Sequence, residues 1–349
     1  MIAVPVDSAR DLLTRLFISK SLYKFDAEIL AQRLIDADLR EQHYYGVASA
    51  LRLLDAVAAG DIDPRGRVMK VHETPAIAVL DGSRAAGPVA ATMGMETAIA
   101  KAKAVGVGTA VVGNSQTLGA ASIFALLAAK QGLIGFVTSS TGGATVAAAG
   151  SNQPAVGNHP VAWAIPIPGR TPFVIDFSCG ALSWSDVELA KNSGAPLPLG
   201  AALDEHSNPT CDPASARTLL PMGGPRGFGL SFVCSVLTGG LAGGKLPVRK
   251  KRPGSAEDSQ HFFQAFDPAS FVDPERLAKE LCTSMDEIRQ RCCCDDGGAV
   301  RFPGEEDAAR AERILTDGIP LEPAVYEELG KRVAGGWKSP TAETSTATK

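Results

Sequence analysis

Apolar residues in the N-terminal part of the chain recur at intervals of three and four positions. Leu30 and Leu34 show this spacing after Asp26, a residue type that often begins helices. The charged helix that they predict runs into DLREQHYYG, and a second predicted helix follows Gly46. Residues 8–60 are therefore predicted to be largely helical.

The pattern changes from Ala86 onwards, where short apolar runs alternate with helical segments. A helix at 94–104 precedes the apolar run GTAVVGNS, and a helix at 119–131 precedes LIGFVTSS. Further strands are predicted at VAWAIPI, FVIDFSC and HFFQAF, whereas GFGLSFVCSVLTGGLAGG is predicted to be a long buried helix. Strands that alternate with helices predict a packed α/β layer.

Composition excludes several classes of protein. The 349 residues are 45% hydrophobic and 21% charged, with a net charge of −4, which is typical of a globular protein. This charge does not favour a nucleic-acid or membrane partner, and no apolar run has the length of a membrane span. The N-terminus lacks the order of a signal peptide, so we expect a cytoplasmic protein.

Seven cysteines are present, three of them adjacent at Cys292, Cys293 and Cys294. Neighbouring side chains diverge, so the triplet is poorly suited to ligating one metal ion, and no metal site is predicted. Reduced thiols in a reducing compartment are the simpler interpretation, and a redox role for the triplet stays open.

Common cofactor and catalytic motifs are absent. The sequence contains no P-loop, no G-x-G-x-x-G after a strand, no G-x-S-x-G and no H-E-x-x-H. Two weaker signals are GGPRGFGL, where glycines and Arg226 precede a helix, and GNSQTLGAAS, where polar residues follow a strand. Each predicts either a ligand-binding turn or a simple helix start.

Several stretches, in order along the chain, resemble the malate/L-lactate dehydrogenase family that is unrelated to the Rossmann lactate dehydrogenases. They include ADLREQHYYGV, VVGNSQTLGAAS, VGNHPVAWAIP, FVIDFSCG, LLPMGGPRGFGLSF and the late PGEE, and they cover roughly residues 10–335. Members of this family reduce a 2-oxo acid or a related cyclic imine with NADH or NADPH.

The resemblance implies an α/β fold with a mixed-sheet, non-Rossmann NAD(P)-binding core, N- and C-terminal helices packed together, and a homodimer. We expect a helical domain at 1–75 plus 305–336 and the α/β core, with the cofactor and substrate sites, at 76–245. Residues 246–304 are expected to form a mobile basic loop followed by a strand and helix that return to the core. The tail, 337–349, is expected to be disordered.

By resemblance, the cofactor contacts fall on four short segments. These residues are Ser140 and Thr141; Ile175, Asp176 and Phe177; Pro225 and Arg226; and Gly304 and Glu305.

The residues that carry the chemistry depart from the family pattern. Tyr44 and Tyr45 replace a Ser-His pair whose histidine is the proton donor, and Ser49 stands where an arginine is expected. A second histidine is replaced by Thr117.

Two further positions differ in the same way. Asp186 stands in place of a lysine, and His159 stands in place of an asparagine. Together with the two tyrosines and Thr117, they are the residues expected to line the catalytic pocket.

Two hypotheses follow from these departures. In the first, the protein is a redox enzyme with an atypical small-molecule substrate, and Tyr45 donates the proton. In the second, it has lost dehydrogenase catalysis and binds a ligand or catalyses another reaction in the same pocket. His159 and His261 are candidate replacement acids, or else hydrogen-bonded structural histidines.

Overall fold

The computed structural model describes residues 1–250, 258–292 and 298–333. Part of the predicted mobile loop, the predicted disordered tail, and Cys293 and Cys294 lie outside the described residues.

The helices and strands have the following bounds. The helices are α1 (Val6–Ser19), α2 (Lys24–Asp38), α3 (Ala50–Ala58), α4 (Gly87–Val105), α5 (Ser122–Ala129), α6 (Trp184–Ser193), α7 (Pro225–Ser235), α8 (Pro274–Arg291), α9 (Glu305–Asp317) and α10 (Pro323–Arg332). The strands are β1 (Ile2–Val4), β2 (Met69–Glu73), β3 (Ile77–Asp81), β4 (Val107–Ser115), β5 (Ile134–Ser140), β6 (Val146–Ala147), β7 (Pro154–Val156), β8 (Pro160–Ile165), β9 (Phe173–Ser178), β10 (Ala202–Leu203), β11 (Pro209–Thr210), β12 (Thr218–Leu219), β13 (Ser259–Phe266) and β14 (Ile319–Leu321).

A seven-stranded mixed sheet forms the centre of the fold, in the order β2-β3-β4-β13-β5-β8-β9. Only β3 and β4 are parallel neighbours; the other pairs are antiparallel. The late strand β13 lies between β4 and β5, although these two strands are joined along the chain by α5. The expected α/β layer is therefore present, with a strand from a distant part of the sequence inserted into it.

Helices α4 and α5 cover one face of this sheet. Gly94 of α4 lies directly against Phe263 of β13, which is fully buried. Proline at position 88 suits the first turn of α4, and Gly106, with a φ of 90°, ends the helix in a conformation that favours glycine. Small residues thus allow the helix to approach the sheet closely.

The two ends of the chain meet in a second packed unit. Strand β1 pairs with β14, and the apolar faces of α1, α2 and α10 form one buried cluster that includes Leu12, Leu30 and Leu329. The predicted association of N- and C-terminal helices and the mixed α/β fold class are confirmed. A smaller five-stranded sheet, β11-β10-β12-β6-β7, accompanies α6.

The prediction of one long buried helix over GFGLSFVCSVLTGGLAGG is wrong, because α7 ends at Ser235 and the segment is only partly buried. Cys234 is buried, but Phe232 and Val233 are about half exposed, and Val236 and Leu241 beyond the helix are also exposed. One face of α7 packs on the sheet and the other presents apolar side chains to solvent. Within the described residues, no helix is both long enough and apolar enough to cross a membrane.

Replacing either of two helical glycines with alanine should change the stability of the protein, but in opposite directions. A Cβ at Gly94 would lie 2.6 Å from the Phe263 ring, so Gly94→Ala should destabilise the protein by about 1–3 kcal/mol through overpacking. A Cβ at Gly229 of α7 would meet nothing within 4 Å, so Gly229→Ala should stabilise it by about 0.5–1 kcal/mol. Denaturant unfolding measures both, and a stable Gly94→Ala protein would contradict the close packing.

Candidate functional site

The turn that carries the two tyrosines is held by a buried carboxylate. Asp38 is 1% exposed, accepts a hydrogen bond from the Val47 amide at 2.6 Å, and contacts His43 Nδ1 at 2.6 Å. This hydrogen bond raises the pKa of His43. A Cβ at Gly46 would lie 2.1 Å from Asp38 Oδ1, so the glycine is required for the close approach.

Tyr45 is the more enclosed of the two tyrosines. Its ring packs beside Gly119 and meets the Tyr44 ring edge to face, with centroids 5.0 Å apart. Burial raises the pKa of Tyr45, while a hydrogen bond with Ser185 and the charge of Arg52 act in the opposite direction. The phenol therefore keeps its proton at neutral pH and has a hydroxyl partner beside it.

Tyr44 and Ser49 have different surroundings. Tyr44 is exposed, with the Arg52 guanidinium 3.9 Å from its ring centre, and Arg52 also donates a hydrogen bond to the Tyr44 carbonyl. Ser49 is buried and donates its hydroxyl to the Gly46 carbonyl at 2.6 Å. Its side chain therefore serves the turn itself.

Asp176 of β9 lies close to this turn. It accepts a hydrogen bond from the Ser122 amide at 2.8 Å, at the start of α5. Burial raises the pKa of Asp176, although Ser122, Gln42 and the charge of Arg40 favour its ionised form. Its charge in turn helps to raise the pKa of Tyr45, so the two groups are electrostatically connected.

Two buried oxygens beside Asp176 have no hydrogen-bond partner among the described residues. They are Gln42 Oε1 and Ser122 Oγ. A buried polar atom without a partner is costly, so these oxygens suit a ligand that brings polar groups to the site.

Several predicted residues lie at one end of the central sheet. Thr117 is exposed just beyond β4, and Ser140 and Thr141 end and follow β5. Ser140 is buried, with Lys250 Nζ 3.5 Å from its hydroxyl, and Ser259 donates a hydrogen bond to Thr141 at 3.2 Å. The ends of β4 and β5 thus lie together, as the antiparallel register with β13 requires.

The start of α7 has the character of an anion site. Gly223 and Gly224 both have positive φ, 58° and 64°, and Pro225 begins the helix. The Arg226 guanidinium folds over Gly223 and is exposed, and no carboxylate pairs with it among the described ion pairs. Consecutive left-handed glycines followed by a helix start and an arginine are suited to binding phosphate.

The PGEE segment lies along the edge strand β9. Val174 donates its amide to the Pro303 carbonyl at 3.0 Å, which brings Gly304 and Glu305 near Ile175, Asp176 and Phe177. Gly304 has a φ of 96°, and a Cβ there would lie 2.8 Å from the Pro172 carbonyl.

The Glu305 carboxylate already has partners within the protein. It pairs with Arg289 and accepts the Phe302 amide at 3.0 Å. This side chain therefore stabilises the segment as well as lying beside β9.

Both candidate histidines are enclosed within the protein. His159 is 1% exposed and its Nε2 lies 2.8 Å from Ser235 Oγ, while His261 contacts the hydroxyls of Ser139 at 2.8 Å and Ser115 at 3.1 Å. Burial lowers the pKa of each to about 3, so both are neutral. Their contacts are those of structural histidines.

Asp186 is exposed and caps α6. It accepts the Ser183 amide at 2.8 Å, and its own amide donates to the Ser183 hydroxyl at 3.0 Å. It is adjacent in sequence to Ser185, the partner of Tyr45. The role of Asp186 toward a substrate stays a prediction.

Sequence reasoning missed Asp38, Ser185 and Arg52. Asp38 lies within the predicted helix, where a buried carboxylate looks the same as a solvated one. Ser185 is distant from Tyr45 in sequence, and Arg52 differs from other surface arginines only through its stack on Tyr44. The signal in the sequence was the Tyr44-Tyr45-Gly46 turn, because two adjacent tyrosines at a turn indicate that polar or charged side chains lie close to them.

One family model matches nearly the whole chain. The model of the family described as "Malate/L-lactate dehydrogenase" matches residues 4–330. The chain belongs to this family. The resemblance seen in the separate sequence stretches is thus confirmed over nearly the whole chain.

Individual relatives cover most of the chain as well. Malate dehydrogenase of Pyrococcus horikoshii is 28% identical over 95% of this chain and 94% of its own, and its structure superposes with a TM-score of 0.84, covering 95% of each chain. Delta(1)-pyrroline-2-carboxylate reductase of Ancylobacter novellus is 28% identical over 89% of this chain and 92% of its own. Ureidoglycolate dehydrogenase (NAD(+)) of Escherichia coli K12 is 27% identical over 93% of both.

The buried histidines predict a pH dependence of stability. Their pKa is about 3 in the folded protein and 6.5 without burial, so the unfolded chain binds more protons between these values. The contribution of these two histidines to the free energy of unfolding should therefore be constant above pH 6.5 and should fall as the pH decreases towards 3.

Denaturant titrations at several pH values measure this slope. Between pH 3 and 6.5, His261→Gln should reduce the slope of the unfolding free energy against pH by about 1.4 kcal/mol per pH unit, which is the effect of one proton. His206 is exposed, so His206→Gln serves as the control and should leave the slope unchanged. An unchanged slope in His261→Gln would contradict a neutral buried histidine.

Proposed function

We propose that the protein is an NAD(P)H-dependent oxidoreductase that reduces a 2-oxo acid-like carbonyl or a cyclic imine, with Tyr45 as the proton donor. The observation that carries the proposal is the partly buried phenol of Tyr45, which burial keeps protonated and which has the Ser185 hydroxyl in its surroundings. The relatives support it, since their names include malate and ureidoglycolate dehydrogenases and a pyrroline-2-carboxylate reductase.

The residues present fit a nicotinamide cofactor. The paired glycines before α7 and the exposed Arg226 suit its phosphates, and the segment around Gly304 lies along β9 beside Ile175, Asp176 and Phe177. Ser140 and Thr141 end the neighbouring part of the sheet. The partnerless oxygens of Gln42 and Ser122 lie next to Asp176, where a bound ligand would supply hydrogen bonds.

In the proposed reaction, a bound NADH or NADPH would supply a hydride to the carbonyl or imine carbon of the substrate. Tyr45 donates its phenolic proton to the oxygen or nitrogen, which gives the alcohol or amine. Ser185 hydrogen-bonds the phenolate that remains, and the charge of Arg52 also favours it. Tyr45 then takes a proton back from solvent.

An atypical substrate follows from the same turn. Ser49 is buried and its hydroxyl is bound to the Gly46 carbonyl, so it offers no cation to a substrate. Tyr44 meets Tyr45 edge to face, and Thr117 precedes by two residues Gly119, on which the Tyr45 ring packs. We propose that the pocket formed by Tyr44, Tyr45 and Thr117 orients a substrate differently from one lined by histidine and arginine.

We also propose a homodimer that buries the exposed apolar face of α7. Phe232, Val233, Val236 and Leu241 are all substantially exposed and follow one another along this helix and the turn beyond it. An exposed apolar patch of this kind is typical of an interface between proteins. The face continues from the helix whose N-terminus carries Arg226, so the proposed interface would lie close to the proposed cofactor site.

Tyr45→Phe tests the proposed reaction. The variant should bind NADH or NADPH like the wild type, because the ring remains, but its kcat should fall by about 10²–10⁴-fold on pyruvate or Δ1-piperideine-2-carboxylate, because the donor is lost. Tyr44→Phe is the matched control and should retain most of the turnover. Cofactor fluorescence and steady-state kinetics give the two measurements.

Three outcomes would contradict the proposal. Full turnover by Tyr45→Phe removes Tyr45 as the donor, and failure of the wild type to bind either cofactor at millimolar concentration removes the redox activity. Cofactor binding without reduction of any 2-oxo acid or imine would favour the alternative of a non-redox family member.

Phe232→Asp tests the dimer. A carboxylate in the apolar face should prevent its burial and convert the protein to a monomer in sedimentation or light-scattering measurements. Phe25→Asp changes another exposed aromatic residue, 63% exposed on α2, and should leave the mass unchanged. A dimer that persists in Phe232→Asp would place the interface elsewhere.

A further inference from the structure

A hollow in the helical unit carries two opposite charges. It has a volume of about 290 Å³ and lies between the first turn of α2, the segment before β2, and α4. This volume is at the lower end of the range for small-molecule pockets, so the hollow suits a ligand of the size of an amino acid. The residues that give it its character are Tyr23, Asp26, Arg67, Val68, Val89 and Met93.

The hollow is separate from the tyrosine turn. Asp26 lies in the first turn of α2, and Asp38, which holds the tyrosine turn, is the last residue of the same helix. At 1.5 Å per residue, the two carboxylates are about 18 Å apart along the helix axis. A ligand in the hollow would therefore not occupy the proposed catalytic pocket.

The acidic group of the hollow is the carboxylate of Asp26. This side chain is half-buried, and it has no hydrogen bond or ion pair with another side chain among the described residues. Burial raises the pKa of Asp26, and the charge of Arg67 acts in the opposite direction. A carboxylate that is partly removed from water is stabilised by a cation placed against it. Asp26 is therefore suited to binding an ammonium group.

The basic group of the hollow is the guanidinium of Arg67. Its central carbon lies 5.2 Å from the centre of the Tyr23 ring, and Nη2 lies 3.5 Å from the Tyr23 hydroxyl. Within the described ranges no carboxylate forms an ion pair with it, although Asp26 is within electrostatic reach. Contact with the ring orients the guanidinium, whose fork matches a carboxylate.

Apolar side chains form the rest of the hollow. Val68 precedes β2, and Val89 and Met93 project from successive turns of α4. Phe25, which is 63% exposed, also lines the hollow. An apolar group that enters here leaves water and is stabilised by this contact.

We propose that the hollow binds an α-amino acid with an apolar side chain. The ammonium group lies against Asp26, the carboxylate against Arg67, and the side chain against Val89 and Met93. A zwitterion of this kind bridges two opposite charges that the protein does not pair with each other. This inference goes beyond the proposed redox function and does not depend on it.

A matched set of ligands tests the proposal on the wild-type protein. L-leucine should bind saturably in isothermal titration calorimetry, with a Kd of about 1 mM or lower. 4-Methylpentanoate lacks the ammonium group and 3-methylbutylamine lacks the carboxylate. Each should bind at least about 10-fold more weakly, as expected for the loss of a charged hydrogen bond. Glycine, which lacks the apolar side chain, should also bind more weakly.

Two variants identify the site. Asp26→Asn and Arg67→Gln each remove one charge with little change of shape, and each should weaken leucine binding by about 10-fold or more. Arg65→Gln is the matched control, because Arg65 contacts the same Tyr23 ring at 4.5 Å but lies outside the hollow. It should leave the affinity unchanged. Circular dichroism establishes that all three variants are folded.

Four results would overturn the inference. They are no saturable binding of leucine up to about 10 mM, equal affinities for leucine and either singly charged analogue, unchanged leucine binding in both Asp26→Asn and Arg67→Gln, and an equal loss in Arg65→Gln. Unchanged binding in the two variants would place leucine elsewhere on the protein. None of these titrations uses a nicotinamide cofactor or turnover, so failure of the redox function would leave this inference standing, and the reverse also holds.

Discussion

The candidate site depends on one buried carboxylate, that of Asp38. A carboxylate 1% exposed is stable only where the protein supplies hydrogen bonds, and the Val47 amide and His43 supply them here. Both partners lie on the loop that carries Tyr44 and Tyr45. The hydrogen bonds that stabilise the Asp38 carboxylate therefore also fix the position of this loop and of its two phenols. Gly46 is part of the same constraint, because any side chain there would occupy the space of the carboxylate.

A second constraint comes from the sheet. Insertion of β13 between β4 and β5 places the ends of these two strands, with Thr117 and Ser140, at the same end of the sheet. The PGEE segment reaches the edge strand β9 through a main-chain hydrogen bond, and the start of α7 lies near the end of that strand through the bridge of Gly180 with Pro221. Segments far apart in sequence therefore converge on one region without a glycine-rich dinucleotide loop.

The individual elements were largely predictable, but their neighbours were not. Apolar runs marked β4, β5 and β9 because strands in a covered sheet are apolar over most of their length. Nothing local shows that β13 enters between β4 and β5, since strand order depends on long-range pairing. The exposed face of α7 was also missed, because an interface and a core share the same apolar residues.

In the candidate site, too, individual residues were predictable from the sequence but their neighbours were not. The tyrosine pair could be recognised in the sequence because it precedes Gly46 in the turn, and the four segments expected to contact the cofactor were recognised through the family resemblance. Asp38, Ser185 and Arg52 could not be selected from the sequence, because each acts through a neighbour that only the fold supplies. His159 and His261 illustrate the converse: both have chemically capable side chains, but burial keeps them neutral and bound to serine hydroxyls.

A phenol in the place of an imidazole changes the protonation state of this position near neutral pH. Burial raises the pKa of Tyr45, so the protonated form dominates there, and this form is the one that the proposed donor must have. Ser185 and the charge of Arg52 act in the opposite direction, but burial has the largest effect. An imidazole titrates near neutral pH, whereas this phenol stays protonated there. Because a catalyst does not alter the equilibrium of its reaction, the replacement of histidine by Tyr45 cannot favour one direction. For the proposed reaction, it makes the supply of the donated proton independent of pH around neutrality.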